Sequence, residues 1–114
     1  MDYSLCDQTV TIYRKQNGMV TRQIVENCYL TTRCSSSTET YGKSRLKQFL
    51  LIIPGDVPVC CGDRIYDGIG PKEMDWQQFL PVTVPQVYEV GYAQPFFWHN
   101  QVAHWEASAE RSLR

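Results

Sequence analysis

The sequence predicts an all-β protein: a small antiparallel β-barrel or sandwich with one long polar loop and at most one short helix. Three observations carry that expectation. Short segments of strand-like alternation recur from one end of the chain to the other. Turn dipeptides punctuate them, among them Asn17-Gly18, Gly62-Asp63 and Asp67-Gly68. Seven tyrosines, three tryptophans and four phenylalanines suit strands better than a helical bundle.

The totals bound the answer. With 114 residues the chain holds one core, so residues 1–114 form a single β domain, with 108–114 expected as a flexible tail. Net charge is −1, so nothing in the overall balance points to nucleic acid, where a basic domain is expected. Met1-Asp2-Tyr3-Ser4 opens acidic and polar, and no secretory signal is expected from it. Phe49-Leu50-Leu51-Ile52-Ile53 is the longest apolar run and far too short for a membrane span, so no membrane partner is expected. Five cysteines, an odd number without a secretory signal, read as free thiols.

In chain order, Asp7 to Tyr13 alternates with Val10 and Ile12 on one face, the pattern of a half-buried strand. Asn17-Gly18 turns it into a hairpin whose returning strand, Met19 to Val25, places Val20 and Ile24 in register. Asn27 to Cys34 alternates again, with Cys28, Leu30, Thr32 and Cys34 on one face. Ser35 to Ser44 is polar and without period, the long loop of the prediction. Leu46 to Ile53 is apolar on both faces and reads as a central strand. Asp63 to Asp67 is a short strand pinned between two glycine turns, and the apolar runs on either side should be its antiparallel neighbours. Pro71 to Leu80 reads as a helix of about two turns, anchored by Trp76, Phe79 and Leu80. Val82 to Tyr92 reads as a long strand interrupted at Pro85, Pro95 to Gln101 as an aromatic turn, and Val102 to Ala107 as the closing strand.

No catalytic, cofactor-binding or metal site follows from these residues. Cys6, Cys28, Cys34, Cys60, Cys61, His99 and His104 are the available metal ligands, but none has knuckle spacing. Cys60 and Cys61 are adjacent, and strand neighbours point to opposite faces. No cysteine carries a nucleophile signature, and no phosphate-binding glycine loop is present. His104 and Glu106 share one face of the last strand, as an acid–base pair or as a hydrogen-bonded strand edge. Lys43, Arg45 and Lys47 follow the polar loop, either as a solvated face or as phosphate contacts.

Several segments, taken in order, resemble the small neck proteins of tailed phages and prophages of Gram-positive bacteria: minor capsid or head-completion (head-closure, stopper-like) proteins. The resemblance runs through Asp7 to Tyr13, Cys28-Tyr29-Leu30, Leu51-Ile52-Ile53-Pro54 and Gly62-Asp63-Arg64-Ile65. It continues through Gly70-Pro71, Trp76 to Pro81, Val87 to Val90, Trp98, and His104 to Ala107. It implies a non-catalytic structural protein of the virion, made in the host cytoplasm, with no cofactor. Such a protein forms a homo-oligomeric ring between portal or adaptor proteins and tail proteins, closing the DNA-filled head and docking the tail. The resemblance also implies a channel-facing loop, for which Tyr41, Lys43, Arg45 and Lys47 are the candidates, in non-specific contact with packaged DNA. Phe96, Phe97 and Trp98 are candidate interface anchors or, alternatively, a plug at the barrel end. Two other readings stay open: a tail-terminator or adaptor protein of the same connector, and a small β-barrel module binding nucleic acid or zinc.

Overall fold

The computed structural model describes residues 3–39 and 42–109, with side chains for all of these except 33–47. Its seven strands are β1 (Gln8–Gln16), β2 (Met19–Glu39), β3 (Gly42–Pro54), β4 (Arg64–Asp67), β5 (Val87–Glu89), β6 (Tyr92–Trp98) and β7 (Gln101–Ser108). They form one antiparallel sheet in the order β5-β4-β1-β2-β3-β7-β6, curled into a half-barrel, and no helix occurs among the described residues. The two outermost strands, β5 and β6, are consecutive in the chain and separated only by Val90 and Gly91. So short a link draws the two edges of the sheet toward each other. Backbone bonds fix the link, from Val90 N to Asp63 O (2.8 Å) and from Gly91 N to Ser108 O (2.9 Å).

β1 and β2 form the hairpin that Asn17-Gly18 announces, with Gln16 paired to Met19 and positive φ at both turn residues (52° and 77°). Both positive φ values match the turn type whose twist suits paired strands. β2 then runs on as one strand where the sequence suggested two. Its first part pairs with β1 and its second, from Tyr29, with β3. Between them lies a bulge: Val10 faces Val25 and Gln8 faces Cys28, so Glu26 and Asn27 stand against Thr9 alone. Asn27 takes the left-handed conformation there (φ 58°). A bulge bends its strand and changes which side chains face inward. Val25, Cys28 and Leu30 are therefore all buried, while Val20 and Ile24, expected in register, lie about 40% exposed.

The core follows from these registers. Val10, Ile12, Val25, Cys28, Leu30, Phe49, Leu51, Ile53, Val59, Ile65, Val90 and Ala107 pack into one cluster on the concave side. Each fully buried aliphatic side chain among them contributes about 1.5–3 kcal/mol. β1 is buried on its other face as well. Tyr13 packs there against Phe79 and Val87, with Tyr66, Met74, Trp76 and Val84 around them.

That second cluster comes from the segment expected as a helix and a long strand. Residues 71–86 instead form a succession of turns, bonded from Gln78 N to Asp75 O, Phe79 N to Trp76 O and Val84 N to Leu80 O. Side chains from β1, β2 and β4 hold the segment to the sheet. Arg64, 8% exposed, lies over the Trp76 ring (3.8 Å) and donates to the carbonyls of Trp76 and Phe79. Tyr13 donates to Pro71 O (2.5 Å), and Arg22 to Gly70 O (2.7 Å) and Pro71 O (3.1 Å). Pro81 and Pro85 remove backbone donors that a strand there would use, so pairing begins only at Val87.

β4 lies between Gly62 (φ 92°) and Gly68 (φ 105°), both in the left-handed region where glycine is favoured. Its neighbours are β1 and β5. The run after it was expected to pair and does; the run before it, now β3, pairs with β2 and β7 instead. Asp63, 2% exposed, accepts from Arg14 Nε (3.0 Å), Arg14 Nη2 (2.8 Å) and Cys60 N (2.9 Å), which locks the entry to β4. Thr11, fully buried, locks the exit by donating to Gly68 O (2.8 Å) and accepting from Gly70 N (2.9 Å).

Candidate functional site

Two parts of the fold stand out from the rest of the sheet. One is the outer part of the β2–β3 hairpin. β7 pairs with β3 only from Leu50 to Pro54, whereas β2 and β3 continue pairing from Arg33↔Gln48 to Glu39↔Gly42. Seven successive pairs thus form a two-stranded arm with no third strand beside it among the described residues. At about 3.4 Å per residue it reaches roughly 20 Å past the sheet. Ser35 to Ser44, expected as a loop, is therefore mostly strand. Serine and threonine lack an apolar face to reveal a period, yet their backbones pair freely and threonine favours strands. Lys43, Arg45 and Lys47 occupy alternate positions of β3 opposite Thr38, Ser36 and Cys34, and Tyr41 lies outside the described residues.

The other part is the far end of the β6–β7 hairpin. The aromatic turn expected over Pro95 to Gln101 is narrower: β6 runs to Trp98, and only His99 and Asn100 turn, with positive φ (52° and 62°). A register shift places Phe96 opposite His104 and Phe97 opposite Val102, leaving Ala103 as an extra residue in β7. Ala103 uses its carbonyl elsewhere, accepting from Gly55 N (2.8 Å). The shift brings the Phe96 ring flat against the His104 imidazole (4.9 Å between centroids, 9° between planes). Phe97 and Trp98 project outward, 66% and 67% exposed, which excludes both as a plug of the barrel. Trp98 meets only the His99 ring edge-on (4.8 Å) among the aromatic contacts described.

His104 is 1% exposed and uses both ring nitrogens. Nε2 lies 2.9 Å from Glu106 Oε2, and Nδ1 lies 2.7 Å from the Tyr3 hydroxyl. A carboxylate only accepts, so Nε2 carries the proton toward Glu106, and in the neutral ring Nδ1 accepts from Tyr3. Burial, with Cys6 and Glu106 nearby, pushes the Tyr3 phenol above its ordinary value and keeps it a donor. The His104 and Glu106 pairing was legible as a shared strand face. Tyr3 was not, because nothing in the sequence ties a residue of the N-terminal segment to one 101 positions away. With both nitrogens bonded, this imidazole presents no open lone pair to a substrate or a metal. It serves to fasten the N-terminal segment to β7. Tyr3, Phe96, Phe97, Trp98, Ala103 and His104 together line a cleft of about 310 Å³.

Of the cysteines, Cys6, Cys28, Cys60 and Cys61 are unbridged, and no group of three or more His, Cys, Asp or Glu able to hold a metal occurs among the described residues. Fold and surfaces together define a curled antiparallel β protein with a two-stranded arm at one place and an exposed aromatic end at another. No family model matches the chain, nor does any curated protein or solved structure.

Proposed function

We propose that the chain is a non-catalytic structural protein of the tailed-phage neck. It forms a homo-oligomeric ring between portal or adaptor and tail proteins, closes the DNA-filled head and docks the tail. The observation that carries this reading is the two-stranded arm. A ring protein that retains DNA needs an element reaching into its channel, and this arm leaves the sheet unaccompanied with Lys43, Arg45 and Lys47 in its second strand. Cations so placed would hold phosphates without reading sequence. The aromatic end supplies what a head-to-tail ring contact requires, a surface that fits a different surface of the next copy. Phe97 and Trp98 are its anchors, since large exposed aromatics dominate the energetics of such contacts.

The test is deletion of the gene in the parent phage, with electron microscopy of the lysate. Free tails beside tail-less heads that have lost their DNA are expected. Intact infectious particles would overturn the reading.

A further inference from the structure

Cys60 and Cys61 stand side by side on the surface and take no part in the core or in either surface described above. The sequence pattern separated them onto opposite faces of a strand, but they lie in a turn. Asp63 N donates back to Cys60 O (3.1 Å), and Gly62, with φ 92°, completes the reversal. The turn is held from three sides. Cys60 N donates to the Asp63 carboxylate that Arg14 clamps, Gly62 N donates to Val90 O (2.8 Å), and the Cys61 thiol donates to Gly91 O (3.4 Å). Two accessible thiols are thus displayed on a fixed backbone.

Their spacing decides what they can hold. Adjacent Cα atoms lie about 3.8 Å apart across a trans peptide, shorter than the roughly 4.4–6.8 Å that an ordinary disulfide spans, so direct closure is strained and easily reversed. A soft centre bonded to both sulfurs needs no sulfur–sulfur bond. Thiolates select soft centres over hard ones. We propose that Cys60 and Cys61 form a dithiol site for a soft thiophilic ligand of the trivalent-arsenic class. With a monosubstituted arsenic(III) oxide, two S–H bonds break and two As–S bonds form. The oxide oxygen leaves with both protons as water, and no electrons are transferred.

Phenylarsine oxide is the probe, added at one equivalent to the reduced full-length chain and read by intact mass in excess glutathione. One arsenical per chain is expected. In Cys60→Ser and in Cys61→Ser, resistance to glutathione should fall by roughly 10²-fold or more, because the second bond is no longer intramolecular. Cys28→Ala should bind as the wild type does, since that thiol is fully buried. Both serine changes are at exposed positions, and thermal melts confirm the fold. No adduct on the wild type, or undiminished binding in either serine variant, would overturn the proposal.

Discussion

Cys28 shows how a single buried side chain ties stability to pH. It has no exposed surface, and its thiol donates to Gln8 O (3.2 Å). Burial, with a smaller contribution from Cys6, pushes the thiol up to about 11 from 9.0. A raised acid pKa means that the folded state keeps a proton which the unfolded chain releases. Stability is therefore unaffected below about pH 9, falls as pH rises toward 11, and levels off beyond. Two pH units correspond to about 2–3 kcal/mol. Denaturant midpoints of the wild type and Cys28→Ala, compared from pH 8 to 11, should converge by about that amount. Every other pH-dependent group is common to both proteins and cancels in the difference.

Gly70 is a second such position, set by space rather than charge. A Cβ there would lie 2.3 Å from the Tyr13 hydroxyl oxygen and 3.0 Å from Tyr66 Cγ. Tyr13 cannot yield easily, since it is 1% exposed, bonded to Pro71 O and packed edge-on against Phe79 (4.7 Å). Gly70→Ala should cost about 2–3 kcal/mol, measured by urea unfolding, through overpacking and the loss of that bond. A stability within 0.5 kcal/mol of the wild type (roughly the scatter of a neutral surface change) would contradict this account.

Among the elements, the β6–β7 hairpin separates a packed aromatic from exposed ones within three consecutive residues. Phe96 stacks on a buried histidine, whereas Phe97 and Trp98 are two-thirds exposed. Phe97→Ser with Trp98→Ser should shift folding stability by less than about 1 kcal/mol. Under the proposed function, the same pair should abolish ring assembly, read by native mass spectrometry or by particle counts after complementation. Phe96→Ser should do the reverse to the monomer, lowering its melting temperature. Much of this hairpin was legible: the aromatic cluster and the closing strand both stood out in the sequence. Its turn was misplaced because His99-Asn100 is a less familiar pair than Asn-Gly, although both residues adopt the same left-handed conformation.

Elsewhere the misses come from a covering segment distant in sequence and from a bulge that alternation alone does not announce. Tyr13 reads as a solvent-facing strand residue until residues 71–86 cover it. Val20 and Ile24, read as in register on the returning strand, lie on the face opposite Val25, and the bulge at Glu26 and Asn27 then brings Cys28 and Leu30 onto the Val25 side. The glycine-bounded β4 and the Asn17-Gly18 hairpin were read correctly because their signals are local.

For the molecule as a whole, the arm extends past the part of β3 that β7 pairs with. Replacing residues 37–44 by Asn-Gly, so that Ser36 and Arg45 flank a two-residue turn, should leave the melting temperature within a few degrees. Under the proposed function the shortened protein should still join heads to tails, but the joined particles should leak DNA, measured as DNA-free heads by microscopy. Loss of the fold on shortening would mean that the arm belongs to the core.

The order in which the strands leave the ribosome gives the β3–β7 pairing a further significance. β3 finds β2 at once, through a local hairpin, but its other edge from Leu50 to Pro54 waits for His104 to Ser108. About 50 residues separate the two, which at about 5–20 residues per second is a delay of some seconds. During that interval the most apolar strand of the protein offers an open backbone edge, on every nascent copy being made at the same time. Synthesis rate, chaperone supply and temperature should therefore govern yield more strongly than the stability of the finished fold does.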